Sequence, residues 1–219
     1  IRIIKRIPLG GGLGGGSADA AAVLVGLNEL WKQGLSRRDL QTLGAQIGCD
    51  VPVLLHGGPA RMEGIGEQVM GIETHKAGGP NWWLVLVHPG FCVPTRDIYA
   101  RYAGCLTSGR GDYKSMVSSV EEGSFTGAVA SLFNSLEKTV FRKYPLIELM
   151  AEKLGTAGAE GVLLSGSGAT VFGLVRDERH ARDVAGRVRA EAGVPVWCEV
   201  ARTLPDGVMV AHGPLEARV

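Results

Sequence analysis

Along the first seven residues, Ile1, Ile3 and Ile7 alternate with Arg2, Lys5 and Arg6, with a slip at Ile4. A period of two predicts a half-buried strand, ended by Pro8. The period then changes. From Ser17 to Trp31 the apolar positions Ala21, Leu24, Val25, Leu27, Leu30 and Trp31 recur at helical spacing, with Ser17 the expected N-cap and Gly34 the expected stop. A second helix is expected over "LSRRDLQTLGAQIG", residues 35–48, with Ser36 as N-cap and Asp39 in its first turn. "CDVPVLLHGG" reads two ways: Val51 to Leu55 as a short strand, or a helix begun by Asp50 with Pro52 in its first turn. "ARMEGIGEQVMGI" reads as a hairpin turning at Gly64 to Gly66, and "HKAGGPN", residues 75–81, as a linker.

Beyond that linker a second pattern starts. "WWLVLVHPGF" is a buried strand, Glu148 to Leu154 lies on a helix, and "GVLLSGSGATVFGLV" makes two strands about a Gly/Ser turn. Glu178 to Ala192 is a helix and "VPVWCEVART" a last strand. Strand, helix, strand, strand, helix, strand is the order of a ferredoxin-like α+β layer.

Composition narrows the class. The chain has 219 residues, 45% hydrophobic and 21% charged, enough for one large or two small globular domains with a real core. A formal net charge of +1 gives no electrostatic footprint for nucleic acid or an anionic membrane. No apolar run reaches the ~18 residues of a membrane span; the longest, around Trp82 to Val87, is strand-sized. The four cysteines (Cys49, Cys92, Cys105, Cys198) and five histidines (His56, His75, His88, His180, His212) are scattered. They are expected to be reduced thiols of a cytoplasmic protein and to form no metal site. The chain opens on Ile1, inside a strand-like pattern and without a signal peptide, so it is expected to lack its natural N-terminus.

The densest feature is "PLGGGLGGGSADA", with six glycines in the seven positions 10–16. Each glycine costs about 0.5–1 kcal/mol of extra chain entropy relative to alanine, so such a cluster has a purpose. A strand, a glycine loop and a helix N-terminus together make an anion site, because the first helical N–H groups lack internal partners and glycines let amides converge on phosphate oxygens. A Walker loop is excluded, since Ser17 and Ala18 follow Gly16 where a lysine and then a serine or threonine are required. Gly10, Gly12 and Gly15 formally match a dinucleotide fingerprint, but the chain continues helix to helix without the second strand and its acidic end. A tight helix–sheet approach remains as a purely structural explanation.

These residues carry a resemblance. "PLGGGLGGGSADAA" is similar to the phosphate-loop signature of the GHMP kinases, the galactokinase, homoserine, mevalonate and phosphomevalonate kinases. "GCDVP" at 48–52, "HPGFCVPTRDIY" at 88–99, "FNSLEK" at 133–138 and "GVLLSGSGATVFGLV" at 161–175 resemble later segments of one branch, in the same order. That branch phosphorylates the 2-hydroxyl of a cytidine diphosphate-linked methylerythritol in the non-mevalonate route to isoprenoid precursors. The resemblance implies a two-domain α+β fold. A ribosomal protein S5 domain 2-like part, missing its first strands, would span 1–78 as the ATP-binding domain, with a ferredoxin-like C-terminal domain over 79–219.

It also implies roles. Pro8, Leu9, Gly10, Gly11, Gly12, Leu13, Gly14, Gly15, Gly16, Ser17 and Ala18 would wrap the triphosphate of ATP. Lys5 would contact the nucleotide, and Asp19, expected in the first helical turn, would help hold Mg²⁺ or complement the helix dipole. Asp50 would be the catalytic carboxylate on the acceptor alcohol, against the alternative of a plain N-cap. Its partner lysine in the family belongs to a strand upstream of Ile1. Tyr99 would stack on cytosine beside Pro94 and Thr95, and Gly166 and Gly168 would belong to a loop approaching the site. Arg37, Arg38 and the run 176–189 read as solvated helix faces. The expected protein is a cytoplasmic monomer or weak homodimer whose partners are ATP and its small-molecule acceptor. Another kinase of the family, a non-catalytic nucleotide-binding module and a Rossmann oxidoreductase are the competing readings.

Overall fold

The computed structural model describes residues 1–75, 79–102, 112–204 and 207–208. Cys105, His212 and linker positions 76–78 lie outside them. The described residues form two units, Ile1–Gly15 with Ile72–Leu204, and Gly16–Gly71 with residues 207–208.

Ile1 to Ile7 is not a strand. Ile1 is 93% exposed and Ile4 67%, and the segment joins neither described sheet. Alternation alone makes no strand, because extended backbone is held by the ladder that accepts and donates its hydrogen bonds.

The helical unit begins with α1 (Gly15–Leu30), which starts two residues ahead of the expected Ser17 cap. Ser17 therefore lies in the first turn, and Asp19 falls in the second rather than the first. The helix closes at Lys32 instead of Gly34. Lys32 takes φ 50° while its N–H and that of Gln33 donate to Glu29 and Asn28 carbonyls, a Schellman closure. Asn28 holds the next turn by bonding both backbone groups of Leu35.

α2 (Arg37–Ile47) has the expected capping box, Ser36 and Asp39 each bonding the other's backbone amide. The Ser36 hydroxyl and amide together hold the Asp39 carboxyl below its ordinary range. α3 (Val51–His56) resolves the ambiguity at 50–55 in favour of a helix. Gly44, mid-helix in α2, lets α3 approach: a Cβ there would sit 2.8 Å from Val51 Cγ1 and 3.0 Å from Leu55 Cδ1. Arg37 is not merely solvated, for its Nη1 donates to the last α3 carbonyls, Leu55 at 2.8 Å and His56 at 2.9 Å. β1 (Ala60–Glu63) and β2 (Gln68–Gly71) form the expected hairpin, with Glu63 opposite Gln68. Ala21, Leu40, Val51 and Leu55 form the core of this unit.

The other unit starts with β3 (Trp83–His88), then α4 (Thr95–Tyr102), α5 (Tyr113–Glu122), α6 (Phe125–Ala130), α7 (Glu137–Lys143) and α8 (Pro145–Thr156). β4 (Gly161–Leu164), β5 (Val171–Val175), α9 (Glu178–Glu191) and β6 (Trp197–Arg202) complete it. The sheet runs β4-β5-β3-β6, antiparallel throughout. That is the ferredoxin-like order, with five helices among the described residues between the first two strands, where one was expected. Val85, Val87, Leu164, Val171 and Val175 pack with Ile147, Met150 and Leu154 of α8 and Val184 and Val188 of α9. Buried apolar positions alternate on β3, as a sheet covered on one face requires.

The basic run 176–189 also departs from expectation. Arg176 pairs with Glu160 at 2.8 Å and lies 4.9 Å over the Phe125 ring, and Arg187 donates to the Ala157 carbonyl at 3.1 Å. Arginine stems carry packing as well as charge. No helix among the described residues is long and apolar enough to cross a membrane.

Candidate functional site

The glycine loop, residues 8–14, folds onto the turn between β4 and β5. Gly10, Gly12 and Gly14 have φ of 64°, 74° and 63°, values that strain any side chain. Space demands glycine as well. A Cβ on Gly12 would lie 2.2 Å from the Ser165 carbonyl oxygen, one on Gly11 2.9 Å from Thr170 Oγ1, and one on Gly10 3.0 Å from Cys92 Cβ. The structural explanation for the glycines therefore holds for these three, although their partner is a loop and not a helix face. At Gly16 nothing among the described residues lies within 4 Å of a Cβ.

Three carbonyls of the loop are tied down. Leu9 accepts from Cys92 Sγ at 2.8 Å, Gly11 from the Thr170 amide at 3.1 Å, and Gly12 from Ser165 Oγ at 2.8 Å. In a trans peptide the C=O and the following N–H point oppositely. Binding the Gly11 and Gly12 carbonyls to the turn thus aims the Gly12 and Leu13 amides away from it. The amides of Gly12, Leu13 and Gly14 donate to no partner among the described residues, and Gly15, opening α1, adds an amide with no intrahelical acceptor. The first turn of α1 holds no acidic residue. Successive unpaired donors before the positive end of a helix suit an anion with several oxygens, such as a polyphosphate. Lys5 Nζ donates to the Gly15 carbonyl at 3.2 Å, so its charge lies beside this run.

Of the acceptor-side residues expected in this unit, Thr95 meets the turn that carries Gly166 and Gly168. Thr95 Oγ1 is 2.8 Å from Ser167 Oγ, between Gly166 and Gly168. Pro94 immediately precedes α4, its carbonyl accepting from the Asp97 and Ile98 amides. Tyr99 follows Thr95 by one helical turn and is 56% exposed, so it is no core ring. Asp97, on the same helix, is paired with Lys143 and Arg101.

Asp50, Ser17 and Asp19 belong to the other unit. Asp50 occupies the N-cap position of α3, but its exposed carboxylate makes no capping hydrogen bond. Pro52 explains this in part: it occupies N2, one of the two positions whose amide an N-cap side chain usually bonds, and has no N–H. A carboxylate without a capping bond stays available for other chemistry.

Several residues had not been singled out. Asn134 Nδ2 donates to the Leu164 and Gly166 carbonyls at 2.9 and 2.7 Å, and Glu137 Oε2 accepts from the Leu164 amide at 3.0 Å. His88 is 3% exposed, and its Nδ1 accepts from the Gly90 amide at 3.0 Å, which assigns the proton to Nε2. His88 Nε2 and Thr170 Oγ1 are buried without hydrogen-bond partners among the described residues, both side chains lying against Gly11. Burial holds the His88 imidazole below its ordinary pKa. The available signal was a histidine closing the apolar run "WWLVLV". Cys49, Cys92 and Cys198 are free thiols, and no group of three or more metal-ligating side chains occurs among the described residues.

The GHMP kinases N terminal domain matches residues 1–58, and the GHMP kinases C terminal domain matches 116–194. The 4-diphosphocytidyl-2-C-methyl-D-erythritol kinase of Pelotomaculum thermopropionicum is 43% identical over 189 residues, covering 86% of this chain and 64% of the relative. The kinase of the same name from a Geobacter species is 42% identical over 195 residues, covering 88% and 66%. The chain thus spans just under two thirds of the length of these curated relatives. A crystal structure of 4-(cytidine 5'-diphospho)-2C-methyl-D-erythritol kinase superposes with a TM-score of 0.73 at 32% identity, covering 91% of this chain and 69% of that one. Homoserine kinase from Cytophaga hutchinsonii superposes with a TM-score of 0.74 at 20% identity, a likeness of fold alone. With both family domains matched in order and a solved relative covered over most of its length, this chain belongs to the GHMP kinase family.

Proposed function

We propose that the protein transfers the γ-phosphoryl group of ATP to the 2-hydroxyl of 4-diphosphocytidyl-2-C-methyl-D-erythritol. The observation that carries the kinase reading is the run of unpaired amides from Gly12 to Gly15 at the opening of α1. The relatives that bear this activity in their names select the acceptor. Residues 1–78 act as the ATP-binding domain and 79–219 as the C-terminal domain.

ATP supplies the transferable phosphoryl group, and Mg²⁺ arrives on its phosphates, which with water furnish most of its ligands. The amides of residues 9–18, with Ser17, bind the triphosphate and stabilise charge on the moving phosphoryl group. Lys5 adds positive charge beside them, and Asp19 is the carboxylate nearest the loop in sequence. Asp50 orients the acceptor hydroxyl and takes its proton as the new P–O bond forms and the bond to ADP breaks. Tyr99, with Pro94 and Thr95, receives the cytosine ring, and the turn carrying Gly166 and Gly168 borders the acceptor. No covalent enzyme intermediate is needed.

The test is ADP release by the purified full chain with Mg²⁺-ATP and a panel of acceptors. Turnover is expected with the cytidine diphosphate-linked methylerythritol and to be absent with homoserine or mevalonate. Phosphorylation of an acceptor without cytidine would assign a different member of the family. ATP binding without any turnover would mark a nucleotide-binding module, and tight NAD binding without ATP binding an oxidoreductase.

A further inference from the structure

We propose that Asn134 is a positioning residue for the phosphate loop, acting through the β4–β5 turn; its effect on nucleotide rests on the kinase reading above. The Asn134 carboxamide spends all its main bonds on backbone: Nδ2 to Leu164 and Gly166 carbonyls, Oδ1 accepting from the Leu136 amide at 2.9 Å. Glu137 takes the Leu164 amide. Leu164 is the last residue of β4, so both of its backbone groups are held from the start of α7 where the ladder gives out.

The next residue passes that constraint on. Ser165 bonds the Gly12 carbonyl through its hydroxyl, and its backbone closes the turn on itself, accepting from Gly168 and donating to Thr170. Thr170 in turn donates to the Gly11 carbonyl. There is no slack in the contact, since the Ser165 carbonyl already occupies the space of a Gly12 Cβ. A shift of residues 164–166 therefore moves the Gly11 and Gly12 carbonyls. Because each shares a peptide plane with the next amide, it also re-aims the Gly12 and Leu13 donors. Asn134 touches neither the loop nor any reacting atom; it sets the orientation of the donors from one layer behind.

The experiment compares the wild-type full chain with Asn134→Ala, Asn134→Asp and Glu137→Gln. Asn134→Asp keeps size and the acceptor for Leu136 but lacks the donors; Glu137→Gln keeps an acceptor for Leu164. Without nucleotide, thermolysin cleavage of the loop before Leu13 and hydrogen exchange in the peptide covering 161–171 are each expected to quicken about tenfold for both Asn134 variants. Exchange should stay unchanged in 197–202, and Glu137→Gln should resemble wild type in both readouts. KM for ATP should rise about tenfold while KM for the acceptor stays within about twofold. Should the Asn134 variants not fold, Ser165→Ala, which removes only the hydroxyl bonded to Gly12, is expected to quicken cleavage before Leu13 alone. Quicker exchange in 161–171 with cleavage before Leu13 unchanged, or unaltered cleavage there in Ser165→Ala, overturns the proposal. Coupled loosening in the Asn134 variants, together with a wild-type protein that binds no ATP, would sink the kinase reading and leave the positioning role standing.

Discussion

Gly12 meets Ser165 so closely that the carbonyl oxygen of Ser165 lies 2.2 Å from where a Gly12 Cβ would be, while the Ser165 hydroxyl donates to the Gly12 carbonyl. One contact thus dictates both the residue type and the direction of the peptide plane.

Gly12→Ala should therefore be severe. The left-handed φ costs about 1–2 kcal/mol and the overpacking about 1–3 kcal/mol more, so the melting temperature should drop by several degrees and ATP turnover should be lost. Gly16→Ala is the contrast, because its Cβ enters open space on a helix. Alanine there should stabilise the fold by up to about 1 kcal/mol. A weaker affinity for ATP in that stabilised variant would report a phosphate against the bare backbone.

Asp50→Asn separates chemistry from folding. The Asp50 carboxylate is exposed and bonds no α3 amide, so thermal unfolding should move by less than about 0.5 kcal/mol. Turnover should fall by about 10²- to 10⁴-fold if the carboxylate takes the hydroxyl proton. Equal losses of stability and activity would return Asp50 to the role of a helix cap.

His88 predicts a pH dependence of stability. Burial lowers the folded pKa of His88 below the unfolded value of about 6.5, so the unfolded chain binds its proton more readily. Its stabilising contribution is then full above about pH 6.5 and is lost as pH falls from there through the depressed folded value. Urea unfolding from pH 8 to 5 should show this loss, and His88→Asn should flatten it. An unchanged slope in that variant would assign the acid sensitivity to other groups.

Tyr99→Ala should leave the fold intact, since the ring is mostly exposed. Loss of a stacked base is worth about 1–3 kcal/mol, so KM for the cytidine-bearing acceptor should rise about 5- to 150-fold with KM for ATP unchanged. Tyr99→Phe should restore it. A Tyr99→Ala enzyme with normal acceptor KM would remove Tyr99 from the cytosine pocket.

Much of the local structure was legible in the chain. The capping box of Ser36 and Asp39, the hairpin at Gly64 to Gly66 and the strand-helix order of the second half follow from interactions a few residues apart. Boundaries were less so. Ser17 yields to Gly15 as the helix start, because unpaired amides there need no capping side chain to begin a turn. Lys32 yields a left-handed closure that Gly34 was expected to provide, since Asn28 clamps Leu35 and shapes the turn around it. Arg37 resembled a solvated charge until α3 brought two carbonyls to it.

By itself the sequence determined most of the element types it singled out, the ferredoxin-like order and a glycine-rich loop leading into a helix, because periodicity, caps and turn residues act at short range. Only the tertiary structure decided which glycines serve packing, that Ile1 to Ile7 joins neither sheet, and that Asn134 stands behind the loop. The reason is separation: Ser165 and Gly12 are 153 positions apart, and no local preference encodes which peptide plane they will turn.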